Sequence, residues 1–295
     1  MQLETSVASA VGETQAQIFE HRRGLPMRIL GYLAMLLAAL VIGLPLYWMV
    51  IASFKISREI YTAPPSWFPL APTFENYPEA WGAAPFARYY LNSIFITIVA
   101  CFSKITLALF TAYALVFVRF PFRNAVLVVV LAALMVPPQI TVLPNYLTMA
   151  SLGWVNTYQG IILPSAATAF GTFLMRQYFL TLPIEIFEAA EIDGAGHLQR
   201  MWQLALPLAR PAIATTGLFA VVSEWNEFLW PLVVTNTSDM RTLSIGMFRL
   251  FDQEGLQNWG VIMAGTMFVV LPVILLFIWM QRYIVDGIAA GAVKG

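Results

Sequence analysis

The chain has 295 residues, 59% of them hydrophobic and 11% charged, with a mean hydropathy of +0.73. Soluble domains carry roughly a quarter charged residues, so this composition excludes an ordinary soluble domain and places the chain in a lipid bilayer. The 16 Lys and Arg balance 16 Asp and Glu, which excludes nucleic acid or an anionic surface as the main partner.

Residues 1–28 read as a polar arm, with Arg22, Arg23 and Arg28 close to the first apolar run. That run, 29–52, exceeds the roughly 20 residues a helix needs to cross the hydrocarbon core. No cleaved leader is expected, because both the polar front and the apolar part are too long for one. Residues 53–88 form a wet loop in which Pro64, Pro65, Pro69 and Pro72 lie among Trp67, Phe68, Tyr77 and Trp81, a mixture suited to an irregular segment at the membrane interface.

A second span, 90–118, ends at Arg119 and Arg123 and carries Lys104 near its middle. Cys101 in the same span stands alone, so it forms no internal disulfide and reads as a small buried hydrophobe. From Asn124 to Met175 there is no Asp, Glu, Lys or Arg. This block is too long for one crossing and divides into spans 124–150 and 157–180 around a turn containing Gly153 and Asn156.

The loop 181–210 is the densest charged patch, with Glu185, Glu188, Glu191 and Asp193 in one short segment. Thr181 as a cap and Pro183 in a first turn suit a helix start, Glu185 suits its positive end, and Gly194 suits its stop. Ala189 and Ala190 put little side chain between this helix and a neighbour, while Glu188 offers a charge for pairing, so the pattern fits a docking helix. After Gly194-Ala195-Gly196, residues 197–206 suit a second short helix before Pro207 and Pro211.

Spans 211–234 and 259–281 follow, separated by a polar loop holding Asp239, Arg241, Arg249, Asp252 and Glu254, and a tail occupies 284–295. Asn236-Thr237-Ser238 fits a glycosylation acceptor, a pattern too short to weigh. His21 and His197 are too far apart for a spaced metal motif, and no phosphate loop or nucleophile elbow occurs, so neither chemistry nor a bound cofactor or metal is expected of this chain.

Six spans put both termini on one side. Ten basic residues lie there (Arg22, Arg23, Arg28, Arg119, Arg123, Arg176, Arg200, Arg210, Arg282 and Lys294) against five opposite (Lys55, Arg58, Arg88, Arg241 and Arg249). The excess makes the termini and the Glu188 loop cytoplasmic.

Ionisable residues within spans face a cavity or a partner. Glu224 and Glu227, flanking Trp225 and Asn226, are three apart and share a helix face; carboxylates and aromatic faces together suit a sugar, and equally suit packing between helices. Lys104 suits an acidic saccharide if it faces a solute path, and says nothing of substrate if a carboxylate pairs it. Asn145, Tyr146 and Tyr178 are further candidates for lining a path.

The run Glu188-Ala189-Ala190, three residues, Gly194, nine residues, Leu204, one residue, Leu206-Pro207 resembles the EAA loop of bacterial ABC importer permeases, where Ile stands in place of Leu204. Ser53-Phe54-Lys55, Pro64-Pro65-Ser66-Trp67, Thr73-Phe74-Glu75-Asn76-Tyr77, Asn92-Ser93, the stretch from Trp225 to Pro231 and the tail from Gly287 to Gly295 are similar to the carbohydrate branch of those permeases. On these residues the chain resembles the maltose-type sugar importer permeases, the smaller six-span partner of the MalG kind.

The resemblance implies an all-α polytopic fold of the type I importer permease kind, six transmembrane helices with a cytoplasmic coupling-helix loop, in a bacterial plasma membrane. It implies a second, homologous permease, two ATPase subunits that carry ATP and Mg, an extracytoplasmic solute-binding protein and a carbohydrate substrate, with the tail reaching between the ATPase subunits. A permease for a polyol, glycerol-phosphate, peptide or acidic saccharide is the alternative, and an ion-driven carrier is an alternative of another class, although no internal repeat supports one.

Overall fold

The structure, a computed structural model, describes the backbone of residues 2–254 and 258–292 and the side chains of residues 27, 29–252, 258–279 and 281. Side chains of the expected arm, apart from residue 27, and of the expected tail lie outside the described residues. The described residues are helical and contain no strand. Eleven helices organise the site: α1 (Gln2–Ser53), α2 (Phe86–Phe117), α3 (Arg123–Leu134), α4 (Pro138–Ser151), α5 (Ala169–Phe179), α6 (Ile184–Ile192), α7 (His197–Leu208), α8 (Arg210–Trp225), α9 (Leu229–Val234), α10 (Leu243–Glu254) and α11 (Trp259–Ala292).

Three segments are long and apolar enough to cross a membrane by themselves, Ile29–Ser53, Phe86–Phe117 and Trp259–Trp279. The other apolar runs are broken. α3 and α4 meet at 102°, where Pro137 is extended (φ −62°, ψ 129°) and Pro138 opens the next helix. A residue before proline is pushed out of the helical region, which accounts for the bend. Between 157 and 180, short turns at Tyr158–Ile162 and Leu163–Ser165 precede α5, and the 211–234 run divides at Asn226, between α8 and α9. The turn after α4 uses two residues of positive φ, Gly153 at 70° and Asn156 at 61°, residue types that tolerate this conformation.

Helix α2 is the axis of the packing, set against α5 and α8, while α11 packs on α1, α8 and α10. Its buried residues Ile96, Ala100, Lys104, Ala108 and Ala112 recur at helical spacing, and the alanines let neighbouring backbones approach. Gly171 of α5 completes that contact. A Cβ there would come within 2.6 Å of Thr168 Cγ2 and 3.0 Å of Thr216 Cγ2.

The loop between α1 and α2 is held by its own charges. Glu59 accepts from the amides of Leu70 (3.0 Å) and Ala71 (2.9 Å), and Lys55 Nζ donates to the Ser66 carbonyl and lies 4.5 Å from the Trp48 ring centroid. Burial holds the Lys55 ammonium below its ordinary pKa, with the Glu59 charge acting in the opposite direction.

Candidate coupling loop and transmembrane cavity

The loop at 181–210 forms two helices, as its glycines and prolines predict. Helix α6 starts two residues later than expected, with Pro183 as its extended N-cap, because the Thr181 hydroxyl donates back to the Tyr178 carbonyl (2.8 Å) and closes α5 instead of capping α6. At the far end Gly194 adopts φ 83°. The Ala195 amide reaches the Ala190 carbonyl (2.9 Å) and the Gly194 amide reaches the Glu191 carbonyl (3.0 Å), the pair of bonds that closes a helix through a left-handed glycine.

Helix α6 has two unlike faces. Phe187 is buried and stacks on Phe117 at 4.0 Å between ring centroids, inside a cluster with Tyr113, Met175, Phe179 and Met201. Glu185, Glu188, Ala189 and Ile192, spaced as one helical stripe, are all exposed, Ile192 at 86%. Ala190 is half-buried and Gly194 exposed.

Behind this stripe stands Arg200 of α7, which the sequence marks only as one of the basic residues on the cytoplasmic side. Its guanidinium is buried and donates to Glu191 (2.6 Å) and the Phe187 carbonyl (3.5 Å), tying α7 to α6 across the Gly194 turn. The available signal was an arginine nine positions beyond Glu191, across a glycine turn, in a segment with no other basic residue until Arg210.

Leu204 and Leu206 are half-buried and pack on the same cluster, and Pro207 is exposed. Upstream of Pro207 the backbone widens into a π-helical turn, Met201–Ala205, in which the Leu206 amide reaches back to the Met201 carbonyl. A proline clashes with the carbonyl four residues back and donates no bond, and the wider turn accommodates both effects. The chain then turns by 77° into α8, whose first turn contains Pro211.

A cavity of about 660 Å³ opens among α2, α4, α8 and α9. Lys104, Asn145, Glu224 and Glu227 line it. Lys104 Nζ donates to Glu224 Oε1 from α2 to α8, with both side chains at most 10% exposed, and the Ser165 hydroxyl lies 3.4 Å from Glu224 Oε2. Glu227 Oε1 accepts from the Trp230 amide (3.2 Å) at the start of α9.

The other candidates lie elsewhere. Trp225 is buried in the cluster with Tyr89 and Leu250 and donates Nε1–H to the Val269 carbonyl (3.0 Å); Asn226 is exposed and bonds the Val222 carbonyl (2.8 Å). Tyr146 packs on the cluster of Ile96, Met149 and Trp230, and the Tyr178 hydroxyl donates to the Leu208 carbonyl (3.0 Å). Glu224 and Glu227, three apart, keep the shared face that helical spacing predicts, and Trp225 and Asn226 between them bond carbonyls away from it.

Several polar lining residues were missed, among them Gln139, Thr141, Ser165 and Thr242. Ser165 belongs to the short turn before α5, and Thr242, just before α10, has a buried hydroxyl without a hydrogen-bond partner. Nothing in the local sequence marks either, because both arrive from segments distant in the chain.

Comparison with known proteins assigns this architecture. Residues 104–289 match the family described as "Binding-protein-dependent transport system inner membrane component". The chain is 34% identical over 269 residues to the sn-glycerol-3-phosphate transport system permease protein UgpE of Agrobacterium fabrum, covering 88% of this chain and 95% of that one. It is 32% identical over 278 residues to the protein of the same name from Yersinia pestis bv. Antiqua, covering 92% and 98%.

Among solved structures, a bacterial ABC transporter involved in the import of the acidic polysaccharide alginate matches with a TM-score of 0.76 and 26% identity, over 87% of this chain and 96% of that one. The family match takes in the whole α6–α7 loop and Lys104, Asn145, Glu224 and Glu227 of the cavity, and the relatives are named as permease proteins. The chain therefore belongs to the family of inner membrane components of binding-protein-dependent transport systems, the non-catalytic permease subunits of ABC importers.

Proposed function

We propose that this chain is one of two homologous permeases in a carbohydrate importer of the bacterial plasma membrane, with both termini and the α6–α7 loop in the cytoplasm and six crossings, three by the long helices and three by the broken runs 124–150, 157–180 and 211–234. Two ATPase subunits hold ATP and Mg, this chain binds no cofactor, and an extracytoplasmic solute-binding protein delivers the solute. The observation that carries the coupling assignment is the two-faced α6, with Glu185, Glu188, Ala189 and Ile192 exposed as one stripe while Phe187 and Arg200 hold the opposite side. A short helix fixed from behind and bare in front transmits rigid-body motion instead of bending, so closure of an ATPase dimer against it rocks α5 and α8.

In this reading Glu188 pairs with a basic residue of the ATPase, Ala189, Ala190 and Gly194 allow the close fit, and Leu204, Leu206 and Pro207 set the approach to α8. The solute passes the cavity beside Lys104, Asn145, Glu224 and Glu227. An anionic solute is the second reading, favoured by the names of the relatives and of the alginate transporter. Family membership leaves no place for the ion-driven carrier.

ATP hydrolysis by the purified complex, with its binding protein loaded with each solute of a panel, tests the proposal. Stimulation by one loaded saccharide is expected, and Glu188→Lys should abolish it. Failure of any ATPase subunit to co-purify, or transport unaffected by Glu188→Lys combined with Gly194→Pro, would overturn it.

A further inference from the structure

We propose that the cavity passes an electroneutral, hydroxyl-rich solute and rejects anions, with Glu224 as the built-in counter-charge of Lys104 and Glu227 as the residue that sets the remaining negative charge. This rests on the reading of the cavity as the solute path.

The charges on its wall are one ammonium and two carboxylates, those of Lys104, Glu224 and Glu227. The ammonium is already taken, because Glu224 pairs with it in a place where both side chains are nearly inaccessible. Among the described residues, Glu227 meets a backbone amide and no cation. The C-terminal end of α8, from which Ser223 and Glu224 join the wall, adds the negative end of a helix dipole. The wall therefore carries an excess of negative charge.

An anionic solute entering here would have to take Lys104 from Glu224 and leave that carboxylate buried and unpaired, beside a second carboxylate. Breaking a buried pair in this way is strongly unfavourable. A hydroxyl group meets no such obstacle, since it donates to a carboxylate and accepts from an amide or another hydroxyl.

A second observation also points to a ligand. Thr242 is 6% exposed, its hydroxyl oxygen has no partner, and it lines the same cavity as the amides of Gln139 and Asn145 and the hydroxyl of Thr141. Neutral donors and acceptors around one unsatisfied buried hydroxyl match the chemistry of a sugar ring. The named relatives act on glycerol 3-phosphate and the matched transporter on an acidic polysaccharide. This wall is built for a solute without that charge.

The wall's electrostatics can be read with thiol reagents. Cys101, the single cysteine, is replaced by Ser, and the full complex in membranes then carries Asn145→Cys, or Thr141→Cys as a second reporter, with Ser151→Cys at the exposed end of α4 as reference. Labelling rates are compared for trimethylammonioethyl and sulfonatoethyl methanethiosulfonate.

Relative to the reference, the cavity reporters should favour the cationic reagent roughly tenfold, and Glu227→Gln should remove most of that preference. A neutral oligosaccharide should protect the reporters, and glycerol 3-phosphate or a uronate oligosaccharide should not. Equal or faster reaction with the anionic reagent would show Lys104 open to the path and overturn the proposal, as would protection by the anions. Failure of both reagents to reach either reporter during ATP turnover would remove the cavity from the path and overturn it too. The labelling ratio is read whether or not an ATPase co-purifies, so its failure is distinct from failure of the coupling assignment.

Discussion

The guanidinium of Arg200 reaches Glu191 at 2.6 Å from a site that is itself buried, while Glu191 remains mostly in water. The two partners are therefore unequal. Losing Glu191 leaves the buried guanidinium without its carboxylate, whereas losing Arg200 leaves Glu191 in water and the Phe187 carbonyl without that donor.

Glu191→Ala is expected to lower the stability of the loop by about 1–3 kcal/mol, and Arg200→Met by less, because the first leaves a buried guanidinium without its carboxylate whereas the second frees a carboxylate that already lies in water. Thermal unfolding of the purified complex measures the difference, and equal shifts for the two variants would contradict it. Arg200→Met should also weaken ATPase stimulation, because α6 loses the brace behind it.

Phe187→Ala removes the stack on Phe117 and should cost about 3–5 kcal/mol, in the range for deleting a buried aromatic ring. Protease cleavage within 184–192 is the direct readout. Cleavage no faster than in the parent would show that the stack does not hold the helix.

Gly194→Ala forces a side chain into φ 83° and should destabilise by about 1–2 kcal/mol, while Gly194→Asn should cost less, since asparagine tolerates this region better. A Cβ at Gly194 meets nothing within 4 Å, so the effect is conformational and not steric. Identical melting temperatures for the Ala and Asn variants would remove the conformational explanation.

Lys104→Met leaves Glu224 buried without its cation and should destabilise by about 3–5 kcal/mol, whereas Lys104→Met with Glu224→Gln should recover most of that loss. Heat-induced aggregation of the three variants in detergent gives the comparison. Additive losses in the double variant would mean that the pair is not coupled.

The sequence by itself determined the helical membrane class, the charged helix-turn-helix loop and the turns at Gly153, Asn156 and Gly194, because hydropathy, proline and positive-φ preferences act within a few residues of one another. Only the tertiary structure decided which of the candidate polar residues share a wall. Lys104 and Glu224 are 120 positions apart and meet because α2 and α8 pack together, and Thr242 joins them from beyond α9. Trp225 and Asn226, though neighbours of Glu224 in the chain, turn away because each side chain takes a backbone carbonyl outside the cavity. Helical spacing puts Glu224 and Glu227 on one face, but only the packing of separate helices and turns brings Lys104, Ser165 and Thr242 to it.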